Sequence, residues 1–136
     1  MKDVSKIKKI RLMLKKVQHD LAYNPPKKFK GSILDGRDIG TVIMPDAHVK
    51  VYLTASLKVR ALRRYKEYKN MGVKTTLSKV KSDIKKRDYE DTHRKISSLK
   101  PAKDAVLLDS SFYNTKSAFV EIDKVIRNRI KLLNAT

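Results

Sequence analysis

Apolar residues recur at three- and four-residue steps from the start of the chain: Val4, Ile7, Ile10, Leu14, Val17 and Leu21. That spacing is one stripe of an amphipathic helix over residues 3–22. Lysines fill the opposite face, and Asn24-Pro25-Pro26 stops the helix. A basic amphipathic helix can lie on a membrane surface, but this one lacks the bulky aromatics that favour such a site, so packing against a sheet is its expected use. Beyond a short basic loop over residues 25–31, Ser32-Ile33-Leu34 reads as a buried strand, and Val42 to Met44 form another apolar run before the breaker Pro45-Asp46. Residues 49–54 are β-branched and aromatic, the pattern of a second strand. Ser56 stands where it can cap a helix that runs to about residue 70 and ends at Met71-Gly72.

Thr75-Thr76 opens a further helix with Leu77, Val80 and Ile84 as its apolar positions and dense charge over residues 85–94. Pro101 interrupts, and residues 105–108 (Ala-Val-Leu-Leu) read as a third short buried strand closed by Asp109-Ser110-Ser111. The last helix starts near Thr115, with Phe119, Ile122, Val125, Ile126, Ile130 and Leu133 on its expected buried side. The order is helix, strand, strand, two helices, strand, helix. Short apolar strands separated by helices predict an α/β fold with a mostly parallel sheet, in a single domain over residues 1–136.

Charge changes the picture more than composition does. The chain carries 33 Lys and Arg against 14 Asp and Glu, a formal net charge of +19, which attracts polyanions of any kind without choosing among them. The absence of cysteine removes any disulfide framework or thiolate metal site and fits a reducing, cytoplasmic setting. No run approaches the roughly 20 apolar residues of a membrane span, and the lysine-rich start has no apolar segment of the secretory kind. His19, His48 and His93 lack ligand spacing and read as surface or turn residues.

Three clusters carry candidate chemistry. Asp35-Gly36-Arg37-Asp38 places two carboxylates around a tight turn at the end of an expected strand. Either they cap local N–H groups, or they present fixed charge at a sheet edge, where open α/β sheets bind ligands. Arg60, Arg63 and Arg64 fall within about one and a half turns of one helix. Arg87-Asp88, Asp91 and Arg94 share a helix, with Arg87, Asp91 and Arg94 on one face. A solvated, salt-bridged helix surface accounts for the last two clusters; a substrate with several phosphates would equally suit them.

Taken in order, these segments resemble the carboxy-terminal two-thirds of the bacterial cytidylate kinases, nucleoside monophosphate kinases of the phosphate-loop class. The likeness rests on residues 35–41 followed by Pro45-Asp46-Ala47, on residues 50–56 with Val59-Arg60-Ala61 and Arg63-Arg64, on Ile84-Lys85 with Arg87-Asp88 and Asp91, and on Leu99, Pro101-Ala102 and residues 104–110. The resemblance implies transfer of the γ-phosphoryl group of ATP to CMP or dCMP, with magnesium, on a parallel sheet flanked by helices. Asp38 and Arg11 would read the base. A carboxylate plus a guanidinium complements the exocyclic amine and ring nitrogen of cytosine, whereas uracil reverses both. Arg87 and Asp91 would hold the sugar, Arg37 and Arg94 the phosphate, and Arg60, Arg63 and Arg64 a mobile lid over about residues 57–94.

The departures are as informative. The four glycines (Gly31, Gly36, Gly40 and Gly72) leave no place for a Gly-x-x-x-x-Gly-Lys-Ser/Thr phosphate loop. The base-binding serine of the family has no clear counterpart; Ser5 is the nearest and stands too close to Arg11. His93-Arg94-Lys95 and Ser97-Ser98-Leu99 replace the family's Asn-Arg-Ala and Ala-Pro-Leu. A partial phosphate-loop kinase fold is therefore expected, lacking the central phosphate-loop strand that would lie between the strands at Ile33 and Val51. Such a chain is expected to be inactive alone and to be a family member lacking its N-terminal third through truncation, gene splitting or an assigned internal start. A separately encoded phosphate-loop fragment is then a candidate partner. The alternative is a basic nucleic-acid-binding or structural half derived from the kinase.

Overall fold

The computed structural model of the protein describes residues 8–93, 95 and 98–135. Helix α1 (Lys8–Tyr23) is followed by a short π-helical segment, Ile39–Ile43, and by strand β1 (Val51–Thr54). Helices α2 (Leu57–Asn70) and α3 (Leu77–His93) form a hairpin, after which come strand β2 (Val106–Asp109) and helix α4 (Thr115–Asn134). The two strands are parallel, with Val51 opposite Val106 and Thr54 opposite Asp109. The ladder continues one bond beyond each end, from the Val106 amide to the Lys50 carbonyl (2.8 Å) and from the Ser110 amide to the Thr54 carbonyl (2.7 Å). This is the expected α/β arrangement, a parallel sheet flanked by helices, here with two strands among the described residues.

The hairpin forms for local reasons. Ser56 Oγ accepts the Val59 amide at 3.3 Å and so satisfies one of the free donors at the start of α2. At the other end Gly72 has φ of 73°, a left-handed conformation that glycine adopts without steric cost. Its amide donates to the Lys69 carbonyl (3.1 Å) and the Val73 amide to the Tyr68 carbonyl (2.9 Å), the paired closure of a Schellman motif. Between the helices, Ala61 on α2 and Val80 on α3 are buried. α4 starts on a capping box in which Asn114 Oδ1 accepts the Ser117 amide and Ser117 Oγ accepts the Asn114 amide, both at 2.9 Å.

Outside the hairpin the expected helices and the strands at Val51 and Val106 are present, but other expectations need correction. Ser32-Ile33-Leu34 is not a strand; Ile33 is 95% exposed. Only Ser32 is tied down, by its hydroxyl donating to the Ala22 carbonyl at 2.7 Å. A strand exists only through a neighbour, and none lies beside these residues. The apolar run at Val42 belongs to the π-helical segment, closed by the Met44 amide on the Ile39 carbonyl (2.7 Å), and it buries Ile43.

The stripe of α1 does not pack against a sheet: Leu14, Val17 and Leu21 are each about half exposed, and only Ala22 is buried. Val4 and Ile7, at the start of that stripe, lie outside the described residues. The expected buried side of α4 is only partly covered: Ile122, Val125 and Ile126 are half-buried, no residue of the helix is fully buried, and Phe119 is 70% exposed. The total accessible surface of 11368 Å² exceeds the value of about 7,300 Å² expected for a compact monomer of this mass. Exposed apolar residues on α1, α4 and the two strands contribute to that surface.

Candidate functional site

The turn over residues 35–38 sits against the first residues of the π-helical segment. A side chain at position 36 would bring its Cβ within 2.9 Å of Ile39 Cγ1, so the close approach requires Gly36. Asp38 anchors the π segment through its backbone: its carbonyl accepts the Val42 amide at 2.8 Å and, more weakly, the Ile43 amide at 3.3 Å. Its carboxylate caps nothing. The capping role that the sequence allowed for Asp38 is therefore not what the carboxylate does at this segment. π-helical segments concentrate at functional positions.

Arg37 points across to α3. Its Nε donates to Asp91 Oδ2, joining two clusters 54 residues apart in the chain. Asp91 is buried, and its own carbonyl accepts the Leu99 amide at 2.8 Å, which fixes the path of the chain after α3. A carboxylate in the last turn of a helix faces the negative end of the helix dipole, so the guanidinium supplies compensation that the helix does not.

Beside the turn lies a cleft of about 140 Å³ lined by Asp35, Arg37, Lys50, Tyr52 and Lys100. Lys50 is its best-held cation. The side chain is 7% exposed, and Nζ donates to Asp104 Oδ1 at 2.9 Å and to the Pro45 carbonyl. The hydrogen bond from Lys50 holds the Asp104 carboxyl below its ordinary range.

The three arginines of α2 divide. Arg60 holds Asp88 with both terminal nitrogens (2.9 and 2.7 Å) and the Ala55 carbonyl with Nε (2.9 Å). Arg63 reaches the carboxyl end of the sheet, where it meets Ser110 Oγ (3.1 Å), the Ser110 carbonyl (2.6 Å) and the Tyr113 carbonyl (2.8 Å). Arg64 is held only on its own helix, by Glu67 at 2.9 Å and over the ring of Tyr68. Arg87 is exposed on α3, and Arg11 is half-buried on α1, the helix that packs on the π segment after Asp38. Arg94 lies outside the described residues, as does Ser5.

Sequence reasoning did not single out Ser110. It is buried, and its hydroxyl donates to the Thr54 carbonyl at 2.9 Å, so it links both strand ends to Arg63. Its place just after a short apolar run, before a second serine, was the available signal. The neighbouring Asp109 carboxyl is lowered by the Ser111 hydroxyl (2.6 Å) and amide (2.9 Å).

The phosphate loop is absent from the sequence, and among the described residues no three His, Cys, Asp or Glu side chains are grouped to hold a metal ion. No described helix is long and apolar enough to cross a membrane.

Comparison with known proteins identifies a family. The family model described as "Cytidylate kinase" matches residues 1–129. The cytidylate kinase of Thermosipho melanesiensis is 42% identical over 123 residues, covering 90% of this chain and 54% of the relative. That of Streptococcus mutans is 43% identical over 118 residues, covering 87% and 52%, and that of Caldicellulosiruptor saccharolyticus 46% over 109 residues, covering 80% and 46%. The chain spans about half the length of the curated relatives it matches. With the family model spanning nearly all of its residues, the chain belongs to the cytidylate kinase family.

Proposed function

We propose that this chain is the monophosphate-binding side of an enzyme that transfers the γ-phosphoryl group of ATP to CMP or dCMP. The observation that carries the reading is the Arg37–Asp91 pair, which brings the Asp35-Gly36-Arg37-Asp38 turn and the end of α3 to one place. Asp38 and Arg11 would read cytosine, with the carboxylate accepting from the exocyclic amine and the guanidinium donating to the ring. Arg87 and Asp91 stand on the sugar side, and Arg37 with Arg94 would take the phosphate through paired charge-assisted hydrogen bonds. Among the α2 arginines, Arg64 suits the transferred phosphoryl group best, because Arg60 and Arg63 are each engaged by three protein acceptors.

The donor half of the reaction needs a partner. We infer that a separately encoded fragment carrying the phosphate loop would dock between residues 32–34 and the open edge of β1. Ile33 is almost fully exposed there, and Leu34, Val51 and Tyr52 line one cleft. An added strand would pair the free backbone groups of β1 and cover apolar surface. On this reading, calorimetry with the full chain gives tighter binding of CMP than of UMP, and Asp38→Asn removes the difference. Equal binding of the two nucleotides by the unaltered chain would refute base reading by this site. The alternative, a basic nucleic-acid-binding protein, rests on charge; sequence-selective RNA binding at physiological salt would support it.

A further inference from the structure

A π-helical turn is rare and seldom stands without a neighbour that fixes it, so the segment Ile39–Ile43 depends on what packs against it. Lys50 meets it at both ends. Its stem crosses Gly40 so closely that a Cβ there would stand 3.3 Å from Lys50 Cδ. Its ammonium donates to the carbonyl of Pro45, one residue beyond the Met44 that closes the segment. We infer, on the monophosphate-site reading, that Lys50 is a positioning residue: it braces the π-helical segment against the sheet and thereby sets where Asp38 stands to read the base.

The sheet end of the brace is fixed by both strands. Lys50 immediately precedes β1, its carbonyl accepts the Val106 amide at 2.8 Å, and Nζ donates to Asp104 Oδ1 at 2.9 Å on the approach to β2. At the other end the Asp38 carbonyl accepts the Val42 amide at 2.8 Å, so a shift of the segment carries Asp38 with it. The Lys50 side chain is 7% exposed and its ammonium is engaged by two protein acceptors. That commits the charge to the brace and leaves little of it for an incoming phosphate. A lysine held along its whole length in this way acts as a strut between the rigid strands and the turn, and the position of a recognition group is only as exact as the groups that hold it.

Affinities of CMP and UMP for the full chain are compared before and after Lys50→Met, which keeps an apolar stem over Gly40 and removes both hydrogen bonds of the ammonium. If Lys50 positions Asp38, the preference for CMP over UMP falls about tenfold, the worth of one well-placed hydrogen bond to a charged group, while the helical circular dichroism is unchanged. A Lys50 that only stabilises the fold does not distinguish the two bases, so equal weakening of both nucleotides, or an unaltered preference, would overturn the inference. Gly40→Ala covers the case in which Lys50→Met does not fold. It presses a methyl group against the same stem with Lys50 left in place, and it too is expected to lower the preference; an unaltered preference counts against the brace. Should the unaltered chain show no preference, base reading by this site fails, and the brace is read without nucleotide by hydrogen exchange. The Val42 and Met44 amides, which close the segment, should exchange about tenfold faster in Lys50→Met, with the amides of the α2–α3 hairpin unaltered. Unchanged protection at Val42 and Met44, or a loss spread over the hairpin as well, would overturn it.

Discussion

The α2–α3 hairpin and the sheet with its two outer helices reach different degrees of completion. The hairpin closes on itself. It has a serine cap, a Schellman turn at Gly72, Ala61 and Val80 in its interior, and a bidentate Arg60–Asp88 bridge. The sheet has two strands, and the apolar positions of α1 and α4 stay largely in water. Two strands with uncovered faces are marginal in isolation. This sequence therefore carries two kinds of apolar surface: one covered within the hairpin, the other exposed on α1, α4 and the strands. The candidate site lies at their junction, since Arg37 comes from the open region and Asp91 from the hairpin.

The largest effect separates the two regions directly. Val80→Asp places a charge in the closed hairpin and is expected to cost about 4 kcal/mol, enough to abolish cooperative unfolding. Phe119→Glu, on the open face of α4, is expected to change stability by less than about 0.5 kcal/mol. Urea denaturation followed by circular dichroism checks both, and comparable losses would erase the distinction.

A smaller effect tests the hairpin's polar clasp. Both partners of the Arg60–Asp88 bridge are more than a third exposed, so solvent screening limits it. A double-mutant cycle with Arg60→Ala and Asp88→Ala should give a coupling of about 1 kcal/mol.

How much of this was legible in the sequence follows the same division. Ser56, the break at Met71-Gly72 and the spacing of Leu77, Val80 and Ile84 are local signals, and the helices they mark stand as read. Ser32-Ile33-Leu34 carries an equally good strand pattern, but a strand needs a neighbouring edge and the pattern cannot say whether one is present. The π-helical segment was not legible, because a short apolar run beside a turn has no period of its own. Within the candidate site, the turn and the α3 cluster could be picked out, but not that Arg37 grips Asp91. Nor could the sequence say that Arg60 and Arg63 serve as anchors while Arg64 is held only locally, since those partners lie far away in the chain.

The smallest effect belongs to the open region. The Tyr23 hydroxyl donates to Asp46 and holds that carboxyl below its ordinary value of 3.8. A carboxyl lowered on folding contributes stability above its unfolded value, and that contribution fades as pH falls through the folded one. Tyr23→Phe should therefore lower the urea midpoint slightly at about pH 6, and the difference should shrink as pH falls below 3.8. A difference that persists undiminished in acid would assign the effect to packing.

We propose that the chain presents a nucleotide monophosphate site and uses it together with a phosphate-loop partner. The most direct measurement is CDP formation from ATP, magnesium and CMP, by the chain alone and by the chain co-expressed with a phosphate-loop fragment of a cytidylate kinase. The account predicts the no-enzyme rate for the chain alone and CMP-dependent turnover for the pair. Turnover by the chain alone, or a soluble pair that forms no CDP, would contradict it.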